Sequence, residues 1–212
     1  MHRPTGRSAP NAGAAEWVGT GGVPWPTGGT SGALLQTGIN TDCVNGVQED
    51  HAWFEELPST PNTSRSFLGF PVSPGDSIKA TVFQATSGAW ETKVDDLTIG
   101  LSAVMVTGEG WGVATDSGDG TFRGQGSTAG LSYSGGYTAE WIVEDYGQGA
   151  SPETATLVPL ADYGTVTFTD LTSSPGPWTL SPADSVAIFQ GGSLTSQPSA
   201  FSNDGFSVSY TG

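Results

Sequence analysis

The sequence predicts an all-β protein built from two packed antiparallel sheets. With 32 Gly and 14 Pro in 212 residues, the composition is typical of short strands joined by turns. Short alternating apolar segments recur along the chain, and no long segment has helical periodicity. We expect a disordered or loosely draped segment at residues 1 to 15, followed by a single domain at residues 16 to 212.

The first half of the chain contains a loop and several predicted strands. Ordered structure is expected to begin at Trp17, and a Gly- and Pro-rich loop follows over residues 20 to 32. A short apolar strand is predicted from Ala33 to Gly38, and a second strand from Val47 to Leu57. Residues 77 to 86 and 90 to 99 alternate in polarity, and they are expected to pair as a hairpin.

In the second half, residues 107 to 130 are dominated by glycine and are expected to form a long, mobile β-ribbon or loop. Alternation of Thr with Val and Phe predicts a strand within residues 159 to 170. Residues 186 to 189 and 206 to 210 supply the last two predicted strands.

The stretch from Tyr137 to Tyr146 is the most unusual predicted strand. A period of two places Glu140, Ile142 and Glu144 on one face. Burying an ionised carboxylate costs several kcal/mol unless it is paired or neutralised. A strand face with two acids is therefore either a solvated groove or a functional site.

Charge restricts the possible partners. The formal net charge is −15 at pH 7 and the pI is near 4.1. Nucleic acids and anionic membranes are poor partners for such a surface, whereas acidic pH relieves its self-repulsion. The sequence has no apolar segment near the length of a membrane span, and its first 15 residues lack the apolar core of a signal peptide. We therefore expect a processed form or a fragment.

Metal and covalent chemistry have little support in the sequence. Cys43 is the only cysteine, so an internal disulfide cannot form. Neither His2 nor His51 has a partner at metal-ligand spacing, and a Ser-His-Asp triad would depend on His51 alone. We expect no metal and no cofactor.

Two further strands carry polar residues at positions that suit a cleft. Gln36 interrupts an apolar strand, either as a functional amide or as a strand-end residue that bonds to neighbouring backbone groups. Trp53 and Glu55 share one face of their strand. An aromatic residue beside an acid suits a substrate cleft and a wet sheet edge equally well.

Several segments together resemble one family, the glutamic peptidases or eqolisins, peptidase family G1. They occur in the family's order and span nearly everything after Trp17. Leu35-Gln36-Thr37-Gly38 and Ala139-Glu140-Trp141-Ile142-Val143-Glu144-Asp145 form the most specific pair. The other segments are Trp17-Val18-Gly19, Ala52-Trp53-Phe54-Glu55, Pro159-Leu160-Ala161-Asp162-Tyr163-Gly164 and Asp204-Gly205.

The resemblance implies a concanavalin A-like β-sandwich and a secreted, monomeric endopeptidase that acts on polypeptides in acid, with the signal and pro-segment absent from this chain. It implies that Gln36 and Glu144 are catalytic. A carboxylate can take a proton from water that attacks an amide carbonyl, while a Gln amide donates to the oxyanion. Trp17, Trp53, Glu55 and Glu140 would then bind substrate.

The chain departs from the family pattern at several places. Thr20-Gly21-Gly22 stands where many relatives carry an acid after Trp-Val-Gly, and Asn40 stands where another acid is usual. The family usually opens with an Asn-Trp-containing strand pair ahead of the Trp-Val-Gly segment, and we expect only the tail of that region here, with part of a sheet missing. The fungal members carry disulfides, which this chain cannot form, so a bacterial member is expected.

Two other functions remain open from the residues alone. In a sugar-active jelly roll, Glu140 and Glu144 would be an acid and nucleophile pair. Strand rise separates their Cα atoms by about 13 Å, whereas a retaining glycosidase needs carboxyls about 5 Å apart. The third interpretation is a non-catalytic binding sandwich.

Overall fold

The computed structural model describes residues 11–21, 33–57, 64–107, 112–116, 121–125, 133, 138–148, 156–173, 180–202 and 204–212. None of the helices in these ranges is long or apolar enough to cross a membrane. Sixteen strands make up the described structure, together with one short 3₁₀ helix at Pro182–Asp184. The prediction of an all-β protein is confirmed.

The first nine strands are β1 (Asn11–Gly21), β2 (Leu34–Val44), β3 (Val47–Leu57), β4 (Arg65–Ser66), β5 (Ile78–Gln84), β6 (Trp90–Asp96), β7 (Leu101–Val106), β8 (Gly112–Asp116) and β9 (Thr121–Gln125). The remaining strands are β10 (Glu140–Glu144), β11 (Gly147–Gln148), β12 (Thr156–Leu157), β13 (Thr165–Thr169), β14 (Ile188–Gln190), β15 (Ser193–Pro198) and β16 (Gly205–Tyr210).

A five-stranded sheet in the order β10-β1-β2-β3-β4 carries every predicted site residue. Asn45 and Gly46 connect β2 to β3 with positive φ values of 52° and 79°, the conformation of a two-residue I′ hairpin turn. β2 continues six residues beyond its predicted end at Gly38, so this turn was not predicted.

The chain divides into two compact units, which we describe separately. The first unit comprises residues 1–15, 41–49 and 143–212. It contains the two-stranded β11-β12 sheet and a four-stranded sheet in the order β13-β16-β15-β14. Val166 opposes Val208 and Phe168 opposes Phe206, with the two phenylalanine rings stacked at 5.1 Å.

The second unit comprises residues 16–40 and 50–142. Its own sheet has the order β5-β6-β7-β9-β8. The predicted hairpin of β5 and β6 is confirmed, with Ile78 opposite Asp96. β7 pairs in parallel with β9, whereas β8 pairs antiparallel with β9 at the outer edge. Val94, Ala103 and Met105 are fully buried in this sheet.

Several predicted boundaries were wrong. Asn11–Ala15 lies in β1 rather than in a loose segment, because its small alanines are buried; residues 1 to 10 lie outside the described part. The central strand is shorter than predicted and spans Glu140–Glu144. β7 and β15 were not predicted as strands. The Gly-rich segment contains the β8-β9 hairpin, and its remaining residues lie largely outside the described ranges. The single-domain boundary at residue 16 stays a prediction.

Candidate active site

The Gln36 amide on β2 is the centre of the candidate site. Its side chain is buried, with 4% of its surface exposed. Its Nε2 donates a hydrogen bond to Glu55 Oε2 on β3, at 2.5 Å. Alternation along β3 places Trp53 on the same face as Glu55. Two of the predicted substrate-binding residues are therefore beside the predicted catalytic amide.

Two glycines allow the strands to approach closely at this position. A Cβ at Gly19 would lie 2.7 Å from Trp17 Cζ3 and 3.2 Å from Gln36 Cβ. A Cβ at Gly38 would overlap the Glu16 carbonyl and the Trp17 main chain. Trp17 and Gln36 can therefore both border the same small space, because β1 and β2 carry no side chain there.

Three buried polar atoms on β1, β2 and β3 have no hydrogen-bond partner among the described residues: Gln36 Oε1, Trp17 Nε1 and Trp53 Nε1. The two indoles are as deeply buried as the amide, with 5% and 3% exposed. Buried polar atoms usually have partners, because leaving them unpaired costs free energy. One acceptor and two donors are thus available to a polar ligand such as a peptide.

The opposite face of β2 and β3 is packed and holds the two strands in place. Leu35, Thr37 and Ile39 are fully buried. Thr37 Oγ1 donates to the Trp53 carbonyl at 2.6 Å, and the rings of Phe54 and Phe67 lie 4.9 Å apart. This face supplies the rigid support that a positioned amide requires.

Burial raises the pKa of the Glu55 carboxyl, and the hydrogen bond from Gln36 partly offsets this effect. The neutral acid is therefore the form that the protein environment favours at this position.

Glu140 belongs to a second group of side chains. Its Oε1 lies 2.8 Å from Thr138 Oγ1, which also lies 2.8 Å from the Gly21 carbonyl and accepts from the Gly21 amide at 3.1 Å. A threonine hydroxyl has one proton, so it donates to only one of the two oxygens at a time. Burial raises the pKa of Glu140, and the bond from Thr138 partly offsets the shift.

The residues that follow Glu144 are tied to other strands. Gln190 Nε2 on β14 donates to Asp145 Oδ2 at 2.6 Å, and Gln190 Oε1 accepts from the Leu160 amide at 3.3 Å. Burial raises the pKa of Asp145. The end of β10 that carries Glu144 is therefore held by a side chain from β14.

Tyr146 makes the second tie. Its hydroxyl donates to the Asp42 carboxylate on β2. A Cβ at Gly13 of β1 would overlap the Tyr146 ring, so the glycine makes room for it. Burial and the neighbouring Asp42 raise the pKa of the Tyr146 phenol.

The structure thus places Gln36 beside Glu55 and close to Trp17, and Trp53 shares the strand face of Glu55. Glu140 bonds within a separate group, and Glu144 lies half-buried at the end of β10. The arrangement of Glu144 and Gln36 across one cleft stays a prediction. Sequence reasoning missed Thr138, Asp42 and Gln190 as partners. Of these three residues, only Asp42 is indicated by the sequence, because its even spacing from Gln36 places both side chains on the same face of one strand. Among the described residues, no cluster of three or more His, Cys, Asp or Glu side chains could hold a metal ion.

A family model described as the peptidase A4 family matches residues 1–210. The chain is 32% identical to Aspergillopepsin-2 of Aspergillus niger over 201 residues, covering 93% of this chain and 59% of that protein. It therefore spans less than two thirds of that relative's length.

Solved structures of glutamic peptidases also match this chain. The crystal structure of aspergilloglutamic peptidase from Aspergillus niger matches with 31% identity and a TM-score of 0.67, covering 94% of this chain and 99% of that chain. Scytalido-glutamic peptidase with a transition state analog inhibitor matches at 24% identity and a TM-score of 0.66, covering 96% and 86% of the two chains. These matches confirm the predicted fold class, a β-sandwich of the eqolisin type.

Proposed function

The chain belongs to the peptidase A4 family, and we propose that it is a glutamic endopeptidase that hydrolyses polypeptides in acid. The observation that carries the proposal is the buried Gln36 amide on β2 with the buried indoles of Trp17 and Trp53 on the two neighbouring strands, which together have one acceptor and two donors without a partner among the described residues. A peptide offers the complementary donors and carbonyls at every residue.

In this proposal Glu144 is the general base and Gln36 is the oxyanion donor. The ionised Glu144 carboxylate takes a proton from a water molecule as the water oxygen attacks the scissile carbonyl. Gln36 Nε2 donates to the carbonyl oxygen as it gains negative charge. Glu144 then returns the proton to the leaving nitrogen as the C–N bond breaks.

The sheet order and one hydrogen bond support this proposal. β1 is the one strand between β10 and β2 in the sheet order. Tyr146 follows Glu144 by two residues and bonds to Asp42. Asp42 follows Gln36 by six residues, and even offsets along a strand return a side chain to the same face, so Asp42 and Gln36 share a face of β2.

Trp17, Trp53, Glu55 and Glu140 are proposed to bind the substrate. The indoles offer flat apolar surface and one N–H donor each. One related structure is described as holding a transition state analog inhibitor, and another as a complex with the tripeptide Ala-Ile-His. By analogy, we propose polypeptide substrates for this chain.

The remaining expectations are proposals of the same kind. We propose a secreted, monomeric protein, because the strongly acidic composition suits an acidic medium and opposes self-association at neutral pH. We also propose a bacterial member of the family, because one cysteine allows no internal disulfide.

A sugar-active protein is the second candidate, based on Glu140 and Glu144. The observed partner of Glu140 is Thr138, and the family match favours the peptidase. The family match also favours a peptidase over a non-catalytic binding protein. A binding protein would turn over none of the substrates tested.

The test measures turnover of denatured casein and of β-glucans at about pH 3, where most surface carboxyls are protonated. Wild type should cleave casein alone, and Glu144→Gln should abolish cleavage. Glu49→Gln is the matched control, because it removes an exposed acid from β3, and it should retain wild-type activity. Casein cleavage by a well-folded Glu144→Gln protein would reject Glu144 as the base.

A further inference from the structure

The contact between Glu55 and Gln36 restricts how the amide can act. The Gln36 amide nitrogen has two hydrogens, and one of them is directed at Glu55 Oε2 at 2.5 Å. Gln36 is 4% exposed, and Glu55 is half-buried. The charge of Glu55 therefore acts directly on the amide.

We propose that Glu55 is a protonation switch on the Gln36 oxyanion donor, so that ionisation of Glu55 turns the peptidase off at higher pH. The inference rests on the proposed function, in which Gln36 donates to the oxyanion. It gives Glu55 a role beyond substrate binding, because it makes one carboxyl responsible for the restriction of activity to acid.

Two physical effects act in the same direction when Glu55 ionises. A carboxylate forms a stronger, charge-assisted hydrogen bond, so it holds the shared N–H away from the substrate. Its negative charge also opposes the charge that develops on the substrate oxygen at the same amide, and this repulsion is large in a partly buried site.

Protonation of Glu55 removes both effects. The neutral acid is a weaker acceptor and carries no charge. If the Gln36 amide group rotates by about 180°, the neutral acid can also donate its proton to Gln36 Oε1. Both amide hydrogens are then left for the substrate. Gln36 Oε1 has no competing partner among the described residues, so the amide is not locked against this change.

The neighbours of Glu55 indicate that the switch responds to its own proton. Burial raises the pKa of this carboxyl and the Gln36 bond lowers it.

The titratable and charged residues on the neighbouring strands lie at defined positions relative to Glu55. On β3, His51 lies four residues before Glu55 on the same face, and Glu56 lies on the other face. On β4, Arg65 is opposite Phe54 and Ser66 is opposite Trp53, so Arg65 also lies on the other face. On β2 the facing group is the neutral Gln36.

The experiment measures kcat and KM on a peptide substrate from about pH 2 to about pH 8, for wild type, Glu55→Gln and Glu49→Gln. The ratio of Glu55→Gln to wild-type kcat should rise at least about tenfold from the acid to the alkaline end. Glu49→Gln removes the same charge from the same face of β3 at an exposed position, and its profile should match wild type.

A constant ratio across the pH range would overturn the switch, because Glu55 would then act only in binding or folding. A shift of the alkaline limit in Glu140→Gln instead of Glu55→Gln would also overturn it, since Glu140 would be the titrating group. Activity in Glu144→Gln, or no activity in wild type, would count against the proposed function itself.

A second measurement requires no change at Glu55. The side-chain amide NMR signals of Gln36 can be followed in the Glu144→Gln protein, which should not digest itself, and Gln36→Ala identifies them. They should titrate at the pH where wild-type kcat falls. Signals that stay constant through that pH would refute the switch, whether or not Glu55→Gln folds.

Discussion

The hydroxyl of Tyr146 donates to the carboxylate of Asp42, with Gly13 of β1 making room for the tyrosine ring. The bond connects the segment after β10 to β2, the strands that carry the proposed base and the proposed oxyanion donor. It therefore fixes the segment that follows Glu144 against the Asp42 end of β2.

We expect Tyr146→Phe to lower the free energy of unfolding by about 1 to 2 kcal/mol, because a hydrogen bond to a charged acceptor is lost. Urea unfolding at neutral pH measures this change. Tyr210→Phe is the matched control: Tyr210 packs against the Tyr163 ring at 6.1 Å, and that contact survives the substitution. Equal losses in the two variants would show that the Asp42 bond contributes nothing.

Gln36→Ala should lower kcat by a factor on the order of 10² to 10³, the cost of losing one oxyanion donor. Because Glu144 would still activate water, some turnover should remain, in contrast to Glu144→Ala. Single-turnover assays of both variants on one peptide separate these results. A Gln36→Ala enzyme with wild-type kcat would remove the amide from the mechanism.

Gly19→Ala tests the close approach of Trp17 and Gln36. The added methyl would lie 2.7 Å from the Trp17 ring, so the indole must move. We expect a higher KM and a lower kcat, together with a loss of about 1 to 3 kcal/mol in unfolding free energy, because an added methyl in a packed region displaces its neighbours. Wild-type kinetics, with the substitution verified, would show that the indole position does not matter for binding.

Stability should peak below neutral pH. Burial raises the pKa of Glu55, Glu140 and Asp145, so between about pH 4 and these raised values the folded state binds more protons than the unfolded chain. Unfolding free energy then falls as pH rises through that window, and repulsion within a chain of net charge −15 adds to the loss.

Thermal melts of the inactive Glu144→Gln protein at constant ionic strength measure this dependence. Glu140→Gln on the same background should weaken the slope, because it removes one of the three titrating groups. A melting temperature that increases steadily from pH 4 to pH 8 would contradict the prediction.

Much of the fold was readable from local patterns. β3 was predicted with its observed bounds, and the β5-β6 hairpin was also correct, because alternation and turn residues are local signals. β1 extends back to Asn11 through buried alanines. Alanine is not a strong strand former, so this extension depends on tertiary packing that the sequence does not reveal.

The site was predicted in part for the same reason. Trp53 and Glu55 share a face by simple alternation, and the bond between Glu55 and Gln36 joins residues on neighbouring strands. Which atoms meet across strands depends on register, and a shift of one residue would turn each side chain to the other face. The partnership of Asp145 with Gln190 joins residues 45 apart in sequence, and local patterns contain no signal for it.

The parallel pairing of β7 with β9 affects the order in which the chain can fold. β8 and β9 are neighbours in sequence and can form their hairpin within microseconds. β9 pairs with β7 in parallel, and parallel neighbours need a crossover connection, so this pairing closes more slowly than the local β8-β9 pairing. We therefore expect the β8-β9 hairpin to form first and to pair with β7 afterwards. Until that pairing forms, the edge of β7 has unpaired backbone groups that other chains can bind during refolding.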